Sequence, residues 1–216
     1  MSTMSALSHL AATRHATLTD ALNLQRALLS VTNQLRLRSR NTMSSSSMTP
    51  IRAGVVSTCD LFDEYEETAK VPVVCWRNLG GKKQFCGTAV TVKCFEDNSR
   101  VKELAETDGA NRVMVIDGGG SCRHALMGDM LAERAAQNKW SGVIVYGCVR
   151  DVEALGNISL GVQALGTTPR KSVRRGEGKV DLAIRIGDVN VHPGDLVFAD
   201  EDGVIFLDPK DVKCVL

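Results

Sequence analysis

Two uninterrupted apolar runs constrain the fold more than anything else in this chain. VMVID spans 113–117 and GVIVYG spans 142–147. Each is short, rich in β-branched residues and bounded by glycine or polar residues. Neither alternates apolar with polar, so each reads as a strand covered on both faces. Such strands need a packed layer on each side, which requires an α/β or multilayered domain. Aromatic residues make up only 4% of the chain, so those layers must be filled by Val, Leu, Ile and Ala.

The other segments fit this frame. STCDLFDEYEETAK reads as a short helix that Ser57 or Thr58 caps, with acids in its first turns where the helix dipole favours them. GTAVTVKCF (Gly87–Phe95) alternates and is β-branched, hence a strand. NSRVKELAETDGANR is a capped helix ending near Gly109, and RHALMGDMLAERAAQNKW has helical spacing interrupted by Gly128. After Arg150 come a short helix, a strand in SLGVQALGT and a basic loop, TPRKSVRRGEGK. Short strands in VDLAIRI, VNVH, DLVFAD and GVIFL follow, split by turns. The middle is mixed and the end is β-rich, which predicts an α/β or β/β/α layered domain and not a purely doubly wound sheet.

The first 48 residues differ in kind. They hold Arg14, Arg26, Arg36, Arg38 and Arg40, no lysine, one acid (Asp20) and many serines, with an amphipathic stretch at Ala21–Leu37. This is the composition of an organelle transit peptide, for mitochondrion or plastid. A disordered tail, or translation starting at Met43 or Met48, is the alternative, and cytoplasmic location goes with it. Residues 1–48 are therefore set apart as a targeting or disordered segment, and 49–216 as the folded domain. Five of the 26 basic and one of the 25 acidic residues fall in 1–48, so the remainder carries a net charge of −3. No global field points to nucleic acid or to a membrane surface, and no run reaches the roughly 18 apolar residues of a membrane span. The seven cysteines form no C-x-x-C pair and are expected to be reduced thiols, mostly small buried hydrophobes. Beyond the tail only His124 and His192 are available, which disfavours zinc.

Several stretches carry possible chemistry. DGGGS (117–121) follows an apolar strand, as nucleotide and S-adenosylmethionine loops do, but it lacks the full G-x-G-x-x-G pattern. A tight strand-to-helix turn is the plainer reading. Gly128 is either tolerated within a helix or marks the start of a new one. In the second case Met130 and Leu131 offer unpaired first-turn amides suited to a carboxylate. Arg150 and Asp151 follow the apolar run and sit at a strand's carboxyl end, where ligands bind in α/β sheets. The arginine fork suits a carboxylate and the aspartate suits a hard divalent cation. A surface ion pair, or Asp151 capping the next helix, fits the spacing as well. Cys148 has no histidine near it in sequence, and reads as a small buried residue. Lys93, on an apolar strand, is either a Schiff-base lysine or a side chain reaching solvent. The basic loop has no aromatics for base stacking, so it reads as solvated.

Taken together, TVKCFEDN, VIDGGGSCRHALMGDMLAERAAQNKWSGVIVYGCVRDVEAL, LGTTPRKSVRRGEG and PGDLVFADEDGVIF resemble one family, in order and with similar gaps, over about Val55 to Leu207. It is the regulator of ribonuclease activity A (RraA-like) family, which includes the class II 4-hydroxy-4-methyl-2-oxoglutarate aldolases. Its aldolases carry an acid, twenty residues, then Arg-Asp; here Asp129 and Arg150-Asp151 match that pattern. The resemblance implies a compact β/β/α swivelling-type single domain that forms trimers, sometimes hexamers, with the site at the subunit boundary. It implies Mg²⁺ or Mn²⁺ on Asp151, with Asp129 reaching the metal through water. Arg150 would grip the pyruvyl carboxylate or keto oxygen, and the amides of Met130 and Leu131 would bind the carboxylate beside Gly128. Family aldolases also draw an acid from the C-terminal region of a neighbouring subunit; no residue of this chain is assigned that role.

The activity so implied is retro-aldol cleavage of 4-hydroxy-4-methyl-2-oxoglutarate to two pyruvates, with Arg150 and Asp129 as catalytic residues. Oxaloacetate decarboxylation would accompany it, because both reactions pass through the pyruvate enolate. Two rival readings remain. One is a non-catalytic regulator that binds a ribonuclease or RNA helicase. The other is a methyltransferase, resting on DGGGS alone.

Overall fold

The computed structural model describes residues 57–212. The tail 1–48, its amphipathic stretch and Cys214 lie outside the described residues.

Helix α1 (Thr58–Tyr65) is opened by Ser57, whose hydroxyl accepts from the Cys59 amide at 3.2 Å. Thr58 instead donates its amide and hydroxyl to Asp200, at 2.8 and 2.7 Å, and ties the helix to the end of the chain's last hairpin. Then follow β1 (Arg77–Asn78), β2 (Phe85–Lys93), α2 (Ser99–Ala105), β3 (Val113–Asp117), β4 (Ala125–Met127), α3 (Asp129–Gln137), β5 (Gly142–Val149) and α4 (Val152–Asn157). The chain finishes with β6 (Gly161–Thr167), β7 (Lys179–Val180), β8 (Ile184–Ile186), β9 (Val189–Val191), β10 (Leu196–Ala199) and β11 (Val204–Leu207).

One sheet runs in the order β1-β6-β5-β3-β2-β10-β11, with β4 added beside β5 and β7 beside β2; β8 and β9 form a separate hairpin. Strands β2, β3, β5 and β6 are parallel, and β10–β11 join the β2 edge antiparallel. The alternation along β3 divides the interior. Met114 and Ile116 face a core shared with Ala132, Ala135 and Leu155 of the helices. Val113 and Val115 face a second core with Ile184, Ile186 and Val191 of the β8–β9 hairpin. Side chains of successive strand residues point to opposite faces, so a fully apolar strand can supply both cores. The layers are therefore hairpin, sheet and helices, the β/β/α arrangement expected.

Three local expectations change. RHALM is not the start of a helix: Ala125–Met127 is a short strand parallel to β5, and the helix begins after Gly128. The α2 helix stops at Ala105, before Gly109, whose added Cβ would meet Trp140 at 2.5 Å. Among the described cysteines only Cys94 and Cys148 are buried; Cys86 is intermediate, and Cys59, Cys75 and Cys122 are exposed. All six are free thiols.

Candidate active site

The carboxyl ends of β4 and β5 bring the acid and the Arg-Asp pair together. Arg150 follows β5, and its amide donates to the Met127 carbonyl at the end of β4 at 3.0 Å. Gly128 then lies directly against the pair. A Cβ built there would stand 2.5 Å from Asp151 Oδ2 and 3.0 Å from Arg150 Nε. Asp129 is the first residue of α3 and Asp151 immediately precedes α4, so both acids sit at helix starts. There the helix dipole favours negative charge.

Asp151 has φ 60° and ψ 45°, left-handed backbone, and its carboxylate makes no capping hydrogen bond. Aspartate tolerates that region better than most residues, but still at some cost. Its ion pair is with its neighbour, Arg150 Nε to Asp151 Oδ2 at 3.2 Å, both side chains being a little over one-third exposed. An exposed pair of this kind contributes about 0–1 kcal/mol. Stability does not account for a strained acid held beside a free guanidinium edge.

The first-turn amides are not equivalent. Met130 donates to the Asp129 carboxylate at 2.7 Å, so its amide is already engaged. The Leu131 amide donates to no atom among the described residues. Met130 opens to a ligand only when the Asp129 side chain turns away, whereas Leu131 is available as it stands.

The triple glycine plays a different part. Gly118 and Gly120 donate to the Tyr146 carbonyl at 3.1 and 3.2 Å, and Gly119 donates to Asp117 Oδ1 at 2.9 Å. Gly119 and Gly120 have φ of 66° and 69°. All three amides are spent on the turn, and none faces outward to cradle a phosphate or a nucleoside. Lys93 stands across from Asp117 in the β2–β3 register, 3.8 Å from its carboxylate and well exposed, as a lysine reaching solvent does. Cys148 is buried. Burial, and then a hydrogen bond that its own thiol donates to Cys122, push that thiol up to about 12. It is neutral near pH 7 and unsuited to nucleophilic attack.

Residues that sequence reasoning did not single out hold the site's surroundings. Glu96 (φ 56°) gathers the loop before β4. It accepts from Ser121 Oγ at 2.8 Å and Arg123 Nε at 2.6 Å, and His124 Nδ1 lies 3.0 Å away. The Ser121 hydrogen bond, outweighing burial, and then Arg123 hold its carboxyl below the ordinary range. Asn98 donates to the Leu126 carbonyl of β4 at 3.2 Å. Their one sequence signal is the polar run Glu96-Asp97-Asn98 directly after a strand.

No group of three or more His, Cys, Asp or Glu is close enough to hold a metal among the described residues. Asp151 and Asp129 nevertheless fit a hard cation that keeps several waters, as Mg²⁺ does when bound by one or two carboxylates. The Asp151 carboxylate is paired only with the neighbouring Arg150 guanidinium and makes no capping hydrogen bond, which leaves oxygen lone pairs open to such a cation.

The molecule is thus a layered α/β domain with an Arg-Asp pair and a helix-start acid at the carboxyl ends of its strands, the region where ligands bind in open α/β sheets. The chain belongs to the RraA-like family, whose Aldolase/RraA model matches residues 56–206. It is 49% identical over 156 residues to a Pseudomonas aeruginosa (strain LESB58) protein named "Putative 4-hydroxy-4-methyl-2-oxoglutarate aldolase", covering 72% of this chain and 96% of that protein. Among solved structures it is similar to the RNA-processing inhibitor RraA from Thermus thermophilis, at 43% identity and a TM-score of 0.68, covering 71% of this chain and 93% of that one. It also resembles S-adenosylmethionine: 2-dimethylmenaquinone methyltransferase from Geobacillus kaustophilus, at 41% identity and a TM-score of 0.69, covering 71% and 95%.

Proposed function

We propose that this protein is a divalent-metal-dependent pyruvate aldolase. It cleaves 4-hydroxy-4-methyl-2-oxoglutarate to two pyruvates and decarboxylates oxaloacetate through the same pyruvate enolate. The contact of Gly128 with both Arg150 and Asp151, beside Asp129, carries this reading. The name of the Pseudomonas relative supports it.

Asp151 would hold the cation directly, and Asp129 would hold it through water. The cation, Mg²⁺ or Mn²⁺, would supply Lewis-acid polarisation of the 2-keto acid. Arg150 binds the pyruvyl end, where its fork meets carboxylate or keto oxygen and stabilises the negative charge that grows there during bond cleavage. The Leu131 amide at the start of α3, joined by Met130, receives the carboxylate. Asp129 orients the water that takes the C4 hydroxyl proton; the C3–C4 bond then breaks, and one pyruvate leaves while the other is held as its enolate. Protonation of that enolate releases the second pyruvate. The active assembly is a homotrimer or a hexamer built from trimers. Residues 1–48 direct the chain to a mitochondrion or plastid. No described helix is long and apolar enough to cross a membrane.

The test is a coupled pyruvate-release assay with both substrates, with Mg²⁺ and with chelator. Chelation and Asp151→Ala are each expected to abolish turnover. Turnover of either substrate that survives both sinks the metal mechanism. A second reading, a regulator that binds a ribonuclease or RNA helicase, rests on the similarity to the Thermus RNA-processing inhibitor. Capture of such a partner by a chain with no turnover would favour it. The methyltransferase reading is opposed by the glycine loop, whose amides are all engaged.

A further inference from the structure

Two thiols meet beside the candidate site, and the proposed reaction uses neither. Cys148 lies near the end of β5, two residues before Arg150, and is buried. Cys122 lies in the loop between the triple glycine and β4, and is exposed. The fold holds that loop to β5 on both sides of Cys122. On one side, the Gly118 and Gly120 amides both donate to the Tyr146 carbonyl, which seats the turn two residues before Cys148. A Cβ built on Gly147 would meet the Ser121 carbonyl oxygen at 3.3 Å, so the residue before Cys122 lies against the residue before Cys148. On the other side, Ala125 is the register partner of Cys148 in the β4–β5 pair. The Cys122 sulfur turns inward between these anchors, facing the Gly120 carbonyl at 3.9 Å, and the Cys148 thiol donates to it. Across β6, the residue beside Cys148 is Gly166, which puts no side chain against the sulfur.

The two thiols differ in reach. A small reagent in solvent meets Cys122 and is kept from Cys148, while Cys148 has only Cys122 to react with. We infer that Cys122 and Cys148 are a redox-active pair, which a low-molecular-weight disulfide such as glutathione disulfide oxidises to an intramolecular disulfide that lowers turnover at the neighbouring site.

The exchange balances in two steps. Cys122, as its thiolate, attacks one sulfur of glutathione disulfide; that bond breaks, and the first glutathione leaves with the proton that Cys122 gave up. Cys148 Sγ then attacks Cys122 Sγ, the mixed disulfide breaks, and the second glutathione leaves with the proton of Cys148. Two protein thiols are oxidised, and one glutathione disulfide is reduced to two glutathione molecules. Burial still favours the protonated form of Cys148, but the charge on Cys122, which favours it further, is gone in the mixed disulfide. Contact with its target then replaces a bimolecular encounter. The effect on turnover rests on the reading of Arg150 and Asp151 as holders of the keto acid and the metal. Bonded sulfurs stand closer than sulfurs in contact, so closure draws Cys148 towards the turn. β5 yields there, because its pairing with β6 is already irregular between Val145 and Cys148, and Arg150 and Asp151 move with it.

The test exposes the full chain to glutathione disulfide, alkylates the remaining thiols and digests with trypsin. Cys122 and Cys148 are the single cysteines of tryptic peptides 113–123 and 140–150. In the unmodified chain those peptides should appear joined, and dithiothreitol should part them. Pyruvate release should fall at least about tenfold on closure and return on reduction. Cys148→Ser should leave Cys122 carrying glutathione. Cys122→Ser should leave Cys148 a free thiol, with pyruvate release that ignores glutathione disulfide. Three outcomes overturn the pair: Cys122 untouched or still carrying glutathione in the unmodified chain, either cysteine joined elsewhere, or the expected link with full turnover. A link that forms and reopens as expected in a chain with no pyruvate release in either state leaves the oxidation site standing and overturns the proposed reaction instead.

Discussion

Gly128 has φ −140° and ψ −174°, extended backbone that any residue adopts. Its glycine is needed for space: a Cβ would press on the Arg150 and Asp151 side chains. Those atoms are the ends of movable side chains, so Gly128→Ala should shift the melting midpoint little, within about 1 kcal/mol. It should still lower kcat/KM about 100-fold or more, because displacing a reacting group by ~1 Å costs that much. Circular-dichroism melts beside the pyruvate assay would separate the two effects, and unchanged kcat/KM would remove Gly128 from the site. Asp151 allows a complementary test. Alanine in its left-handed backbone is strained, and glycine is not. Asp151→Ala should therefore be less stable than Asp151→Gly by about 1 kcal/mol, while both lack turnover. Denaturant titration checks the order. Equal stabilities would mean the backbone relaxes when the acid is removed, and the strain would then belong to the side chain's contacts.

At the scale of elements, the basic loop after β6 is a strap: Ser172 donates to the Ala125 carbonyl of β4 and the Arg175 amide to Asp97, so it depends on one buried carboxylate. Burial pushes the Asp97 carboxyl up, but the Ser99 hydroxyl and the amides of Arg175, Ser99 and Glu177 bring it down by more, leaving it below the ordinary value. A folded-state value below the unfolded one contributes stability at pH above about 4, lost as pH falls through the folded value. Asp97→Asn should therefore flatten the acid limb of stability, measured by melts from about pH 2 to pH 7, and change its slope little near neutrality. Asp97→Ala should also free the strap and raise its tryptic cleavage about tenfold. Strap cleavage at the unmodified rate would show that β4 pairing suffices to fix it. Such pinning was not legible in the sequence, because it joins residues 97 and 175 through backbone amides. The apolar strands and the capped α1 were legible, since periodicity and Ser57 are local signals. Ala125–Met127 misled because three apolar residues before a helix continue its spacing; only pairing with β5 makes them a strand. Asp129, Arg150 and Asp151 stood out through their spacing. Glu96 and Asn98 did not, because what they hold lies more than twenty residues away.

Across the whole domain, the interior is well covered and the surface near the site is not. Trp140, Phe198 and Phe206 are fully buried, and the two cores use both faces of the sheet. Yet Met130, next to Asp129, is 72% exposed, and Val152, next to Asp151, is 37% exposed. Phe95 is 57% exposed beneath the Arg123 guanidinium, 5.8 Å from the ring centroid. Apolar side chains flanking both acids fit a site completed at a subunit boundary, as the proposed trimer requires. Burying one such side chain stabilises a contact by about 2 kcal/mol. Replacing Met130 with aspartate removes that and places a second negative charge beside Asp129, so assembly should weaken about thirtyfold or more. Sedimentation velocity over a concentration series would show the unmodified chain as trimer or hexamer and Met130→Asp shifted towards monomer. Activity should fall in step with the assembled fraction. A monomeric unmodified chain with full turnover would place the whole site within one subunit, and the exposure of Met130 would then need a different partner.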